Sequence, residues 1–143
     1  MRHDEFFAEF DAMFVELARR SRSGRFEPNC DLFLSEDGET IVVTVEIAGA
    51  EPSELRIGVD ERHLFVIGRR SNRDRSDLGS VFVKEIEYGD FVKKIRLPVA
   101  VAYSDATASY RYGMLSIRLP VSRTSALPRY RTEIPMTVKR IPV

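Results

Sequence analysis

Between Thr40 and Ile47 the chain reads T-I-V-V-T-V-E-I, with Ile41, Val43, Val45 and Ile47 at every second position. A period of two puts these four on one face of an extended strand and the intervening residues on the other. A helix would scatter the same four around its axis, so the segment is predicted to be a strand with one buried face. The rule repeats downstream. Leu55, Ile57 and Val59 alternate with Arg56 and Gly58; Leu64 to Ile67 form a short apolar run; Phe91, Ile95 and Leu97 alternate with Val92, Lys94 and Arg96; Leu115, Ile117 and Leu119 complete the series. Turn signals separate these segments at Glu36-Asp37-Gly38, Gly49 to Ser53, Asp60 to Arg62, Tyr88-Gly89-Asp90 and Tyr112-Gly113. Many short strands joined by short turns predict an all-β fold, an antiparallel immunoglobulin-like β-sandwich.

At 143 residues the chain is long enough for one domain whose core needs no disulfide or metal staple. Cys30 is the only cysteine, so no internal disulfide can form, and a reducing, cytoplasmic setting is expected. The 22 basic residues balance the 22 acidic ones. That balance gives no electrostatic reason to expect nucleic-acid binding, and it removes the charge repulsion that keeps subunits apart. Apolar runs of a few residues fall far short of the roughly 20 needed for a membrane-spanning helix. MRHDEFFAEF, with acids before its first aromatic, does not read as a signal peptide.

Two regions flank the strands. Phe6, Phe7, Phe10, Met13, Phe14 and Leu17 fall on one face of a short N-terminal amphipathic helix, which acids near its start and Arg19, Arg20 and Arg22 near its end suit electrostatically. Such a face packs either on the chain's own core or on another molecule. Beyond Pro120, Ser122 to Lys139 mixes Pro128 and Pro135 with Arg, Thr and Ser, which predicts an extended tail without a core of its own. After it come Lys139 and Arg140, then Ile141-Pro142-Val143. The proline fixes the backbone so that Ile141 and Val143 present to one side, two knobs suited to adjacent pockets at a sheet edge. Within the strand region, Arg69 to Asp77 (RRSNRDRSD) has no apolar residue and precedes Val81, Phe82 and Val83. It reads either as a solvated loop or as a loop carrying a short strand to a neighbour.

Catalytic motifs are missing. The sequence holds no phosphate-binding loop, nucleophile elbow, H-E-x-x-H or paired cysteines for zinc. His3 and His63 are its only imidazoles, and neither they nor Cys30 comes with an orienting partner, so no enzyme, metal site or cofactor is expected.

Several of these segments together resemble one family. Pro28-Asn29-Cys30-Asp31, Ile41-Val42-Val43-Thr44-Val45-Glu46 with Ala48-Gly49, Leu55 to Val59, and Leu64 to Arg69 follow one another in its order. Phe91-Val92-Lys93-Lys94-Ile95-Arg96-Leu97-Pro98 is similar to its F-x-R-x-F-x-L-P segment. Ala106 through Gly113-Met114-Leu115 is similar to A-x-x-x-x-G-x-L, and Ile141-Pro142-Val143 to its I-x-[IV] tail anchor. The chain resembles the small heat shock proteins, the α-crystallin-domain chaperones, over nearly its whole length. Tyr112 stands where that family's signature usually has Asn or Asp.

The resemblance implies a stress-response, ATP-independent holdase that binds unfolding client proteins and prevents their aggregation, built from homodimers that assemble into higher oligomers. It implies an N-terminal arm at 1–27, an α-crystallin domain at 28–122 and a C-terminal extension at 123–143. Val81, Phe82 and Val83 would swap onto the partner's edge strand at Asp31, Leu32, Phe33 and Leu34, in the manner of bacterial and plant members. The anchor Ile141, Pro142 and Val143 would dock between Leu55, Ile57 and Val59 on one strand and Ala106, Ala108 and Tyr110 on another. Ile134-Pro135-Met136, just upstream, is a second candidate for that groove. Phe6, Phe7, Phe10, Met13, Phe14 and Leu17 would meet clients and sister subunits. A p23-like co-chaperone or scaffold module on the same kind of sandwich is the alternative, though that family lacks both swap loop and anchor.

Overall fold

The alternation at Thr40 to Ile47 has its structural counterpart in a computed structural model that describes residues 26–60, 62–72, 78–123 and 132–138, together with Ala8, Ala12, Val15 and Glu16. Strand β1 covers Cys30–Leu34 and β2 Thr40–Glu46; β3 is Arg56–Val59, β4 His63–Arg70 and β5 Gly89–Arg96. β6 covers Thr107–Arg111, β7 Met114–Pro120, β8 Thr132–Glu133 and β9 Met136–Val138. They form two facing sheets, one ordered β1-β2-β7-β6-β9 and the other β5-β4-β3-β8. All neighbours are antiparallel except β6 and β9, which run parallel.

Burial follows the period of two. Ile41, Val43, Val45 and Ile47 are fully buried, as are Leu115, Ile117 and Leu119 of β7, whose register sets Ile41 opposite Leu119, Val43 opposite Ile117 and Val45 opposite Leu115. Each such side chain contributes about 1.5–3 kcal/mol, so this central pair of strands dominates the core. From the other sheet come Leu55, Ile57, Val59, Leu64, Val66, Phe91 and Ile95. Gly68 lies on the same inward face, where a Cβ would stand 2.5 Å from Leu55 Cδ2 and 2.6 Å from Phe91 Cζ. Only glycine fits between them without displacing one.

The β6–β7 hairpin turns through Tyr112 (φ 55°) and Gly113 (φ 76°), both left-handed, as a two-residue type I′ turn requires. Tyr112 therefore keeps the turn that Asn or Asp would favour, with its ring under the Arg111 guanidinium at 4.6 Å. Gly113 is doubly constrained, because a Cβ there would meet the Ala48 backbone at 2.9 Å.

Three expectations need correction. Tyr88-Gly89-Asp90 is not a turn: Gly89 and Asp90 already belong to β5, opposite Arg70 and Arg69. The run starting at Arg69 is not all loop, because β4 continues through Arg70. Leu64 to Ile67 is thus the middle of an eight-residue strand, in which Phe65 and Ile67, on the face away from the core, are buried as well. Phe26 joins the core from the N-terminal side, its ring edge-on to Phe91 at 5.4 Å. Ala8, Ala12, Val15 and Glu16 are helical, and the first three are exposed. Phe6, Phe7, Phe10, Met13, Phe14 and Leu17 lie outside the described residues.

Candidate groove and edge strand

Ile57 and Val59 reach inward from β3, with Leu55 just before it, and Ala108 and Tyr110 from β6 at the edge of the opposite sheet, with Ala106 just before it; all six are buried. The two alanines leave space, and Tyr110 closes the end of the cleft by donating its hydroxyl proton to the Ile47 carbonyl at 2.7 Å. Burial pushes the Tyr110 phenol above its usual pKa.

The cleft is occupied by the chain's own tail. Before the tail is counted, β3 and β6 are the edges of their sheets, and β8 and β9 extend both of them. β8 sets Glu133 opposite Gly58 and Thr132 opposite Val59, while β9 sets Met136 opposite Ala108, Thr137 opposite Ser109 and Val138 opposite Tyr110. Between them the chain crosses from one sheet to the other. Ile134 donates its amide to the Ile57 carbonyl at 2.9 Å and is only 3% exposed. Pro135 is exposed at the crossing, where its missing N–H leaves no donor to satisfy, and Met136 is half-buried against the core. On the outer face, Gly58 presents no side chain, so its strand neighbour Arg56 reaches across to Glu133 Oε1 at 3.2 Å. The residues seated here are thus the upstream motif Ile134-Pro135-Met136. Ile141, Pro142 and Val143 lie outside the described residues.

The second site is the edge at β1. Among the described residues β1 pairs only with β2. Cys30 and Leu32 turn toward the core, while Phe33 and Leu34 are exposed at the outer end. Val81, Phe82 and Val83 form no strand within the chain, although they are 72, 95 and 75% exposed. Asp31, Leu32, Phe33 and Leu34 therefore stand as an open edge, and the Val81–Val83 segment as a strand-forming sequence without a strand to join.

Arg70, which sequence reasoning missed, holds the return of that loop. Its Nε donates to the Glu87 carbonyl at 2.9 Å, its Nη2 to the same oxygen, and its guanidinium lies 3.6 Å from the Phe26 ring centroid and 5.8 Å from that of Tyr88. No local pattern signals this role, because every partner is distant in sequence. Catalytic geometry is lacking among the described residues: no cluster of metal-ligating side chains occurs there. Cys30 on β1 and His63 on β4 belong to different sheets, and His63 instead neighbours Asp60 at 3.7 Å. His3 lies outside the described residues.

The Hsp20/alpha crystallin family profile matches residues 34–137, from the end of the edge strand through the seated tail motif. The chain belongs to the Hsp20/alpha crystallin family. Small heat shock protein C4 of Rickettsia felis is 26% identical over 121 residues, covering 81% of this chain and 73% of that protein. The 16.9 kDa class I heat shock protein 3 of rice is 24% identical over 119 residues, covering 81% and 80%. Among solved structures, a small heat shock protein from Xylella fastidiosa superposes with a TM-score of 0.60 at 25% identity, over 84% of this chain and 98% of that one. Heat shock protein 16.0 of Schizosaccharomyces pombe gives 0.62 at 23% identity, over 71% and 96%, a likeness of fold. A chaperone role follows from this Hsp20 membership, and the family's members are not enzymes. No helix among the described residues is long and apolar enough to cross a membrane.

Proposed function

We propose that this small heat shock protein is an ATP-independent holdase, cytoplasmic and assembled from homodimers into larger oligomers, that captures unfolding proteins before they aggregate. The supporting observation is the pairing of two unsatisfied surfaces in one chain: the exposed Val81, Phe82 and Val83, and the open β1 edge with exposed Phe33 and Leu34. Either alone would be an aggregation hazard. Two copies related by a two-fold axis satisfy both, each giving its loop segment to the other's Asp31–Leu34 edge. The apolar side chains of Val81, Phe82 and Val83 from each copy then leave water, and the expected product is a dimer that can still exchange.

The division into an arm (1–27), an α-crystallin domain (28–122) and a tail (123–143) is part of this reading. So is the use of Phe6, Phe7, Phe10, Met13, Phe14 and Leu17 to hold clients, and of Ile141, Pro142 and Val143 as a tail anchor for the groove of Leu55, Ile57, Val59, Ala106, Ala108 and Tyr110. The Xylella relative is described as having a distinct high order structure, which accords with assembly. No nucleotide is needed, because the conformational-entropy term gained by releasing weakly docked segments grows with temperature and exposes the client-binding surface. Size-exclusion chromatography with light scattering tests the assembly: the full chain should elute as a dimer or larger, and Val81→Asp with Val83→Asp should shift it toward monomer. A strict monomer of the unaltered chain would refute it.

A further inference from the structure

The tail carries two motifs of the same form, seven positions apart: Glu133-Ile134-Pro135-Met136 and Arg140-Ile141-Pro142-Val143. Both offer an isoleucine, a proline and a second apolar residue at the spacing the groove takes. They differ in the residue before the isoleucine, an acid in the first and a base in the second. At that position the groove is not neutral. Glu133 sits opposite Gly58, and the Arg56 guanidinium lies 3.2 Å from its carboxylate. Seated in the same register, the second motif would bring Arg140 against Arg56, cation against cation.

We infer that Arg56 is the specificity-determining residue of the groove and ranks Ile134-Pro135-Met136 above Ile141-Pro142-Val143. The inference rests on the groove reading proposed above and adds an order to it. The first motif plugs the groove of its own chain, so the groove becomes open to a terminal motif only when that plug withdraws. Geometry adds a second consequence. With Ile134 seated, seven extended residues carry Ile141 no further than about 25 Å from it, so a tail with its first motif docked can reach only a groove on an immediately adjacent copy. Arg56 is half-buried and Glu133 more exposed, which makes this a modest, salt-sensitive preference, about tenfold when the loss of attraction and the gain of repulsion are combined.

Hydrogen-exchange mass spectrometry on the full chain tests the ranking by comparing amide protection in 132–138 with that in 139–143. The unaltered chain should protect the first segment more. Arg140→Glu, which alters no residue of the sandwich, should give the second motif an acid for Arg56 and lower the protection ratio about tenfold. Arg56→Glu should lower it further, by reversing both interactions; adding Glu133→Arg should bring it back only to the level of Arg140→Glu, because Arg140 then also faces an acid. Adding Arg140→Glu as a third change should restore it fully, with β2 and β7 protected throughout as the control for folding. A ratio unmoved by Arg140→Glu and by Arg56→Glu overturns the charge ranking while leaving the groove reading intact. Protection of neither segment in the unaltered chain overturns the groove reading itself, and the ranking with it.

Discussion

Replacing Ile134 by alanine should release the tail without unfolding the sandwich. Ile134 is 3% exposed among Leu55, Ile57, Ala108 and the rest of the core, so truncation forfeits about 2–4 kcal/mol if the segment stays in place around a cavity. The tail has little to set against that loss. β8 contributes two residues and β9 three, Met136 is half-buried, and the Arg56–Glu133 pair is worth at most about 1 kcal/mol. Undocking therefore becomes the cheaper response, and the global penalty is capped near the tail's own docking free energy. Amide exchange followed by NMR reads this directly through the Ile134 N–H, which is bonded to the Ile57 carbonyl at 2.9 Å. A tail that is a separable plug loses protection at positions 133–138 in the alanine variant, while the β2 and β7 amides keep theirs relative to global unfolding. Urea midpoints should fall only modestly. If all amides instead weaken together by about 2–4 kcal/mol, Ile134 is an inseparable part of the core and the plug reasoning is wrong.

Tyr110→Phe should cost about 1 kcal/mol in urea melts at neutral pH by removing the shorter of two hydrogen bonds to the Ile47 carbonyl, which keeps only the Ala50 amide at 3.3 Å. Because burial raises the Tyr110 pKa, its unfolded-state phenol ionises first; stability owed to this group is constant below about pH 10 and falls as pH rises further, and that part of the slope should vanish in the Phe variant. Tyr112→Asn should raise the melting temperature, gaining about 0.5–1 kcal/mol, since Asn tolerates φ 55° better than Tyr and the ring lost is exposed. Arg70→Ala should accelerate proteolysis within residues 78–88 and weaken the dimer, and Arg70→Lys should not rescue it, because an ammonium cannot both fork onto the Glu87 carbonyl and lie flat on Phe26.

Sequence and structure agree most closely where one face of a strand is buried and the other is not. β2 and β7 were legible residue by residue because alternation is the direct image of that burial. β4 was not, because Phe65 and Ile67 are buried on the second face too, which turns an alternating pattern into a continuous run whose length is hidden. Gly89 looked like a turn because glycine tolerates its φ of 128°, yet the residue begins β5. The six groove residues were named through the family resemblance; alternation marks only Leu55, Ile57 and Val59 as one strand face, and the short side chains of Ala106 and Ala108 leave no such pattern. The occupant could not be chosen, because both tail motifs satisfy the same apolar pattern. What distinguishes Glu133 from Arg140 is Arg56, 77 positions from Glu133 in sequence and adjacent only after folding.

The measurement that bears most directly on the account is suppression of heat-induced aggregation of a model client, followed by light scattering without ATP. The account predicts that the full chain suppresses scattering at sub-stoichiometric amounts and that added ATP changes nothing. Unabated aggregation at equimolar or higher chain, or suppression that requires nucleotide, would contradict it.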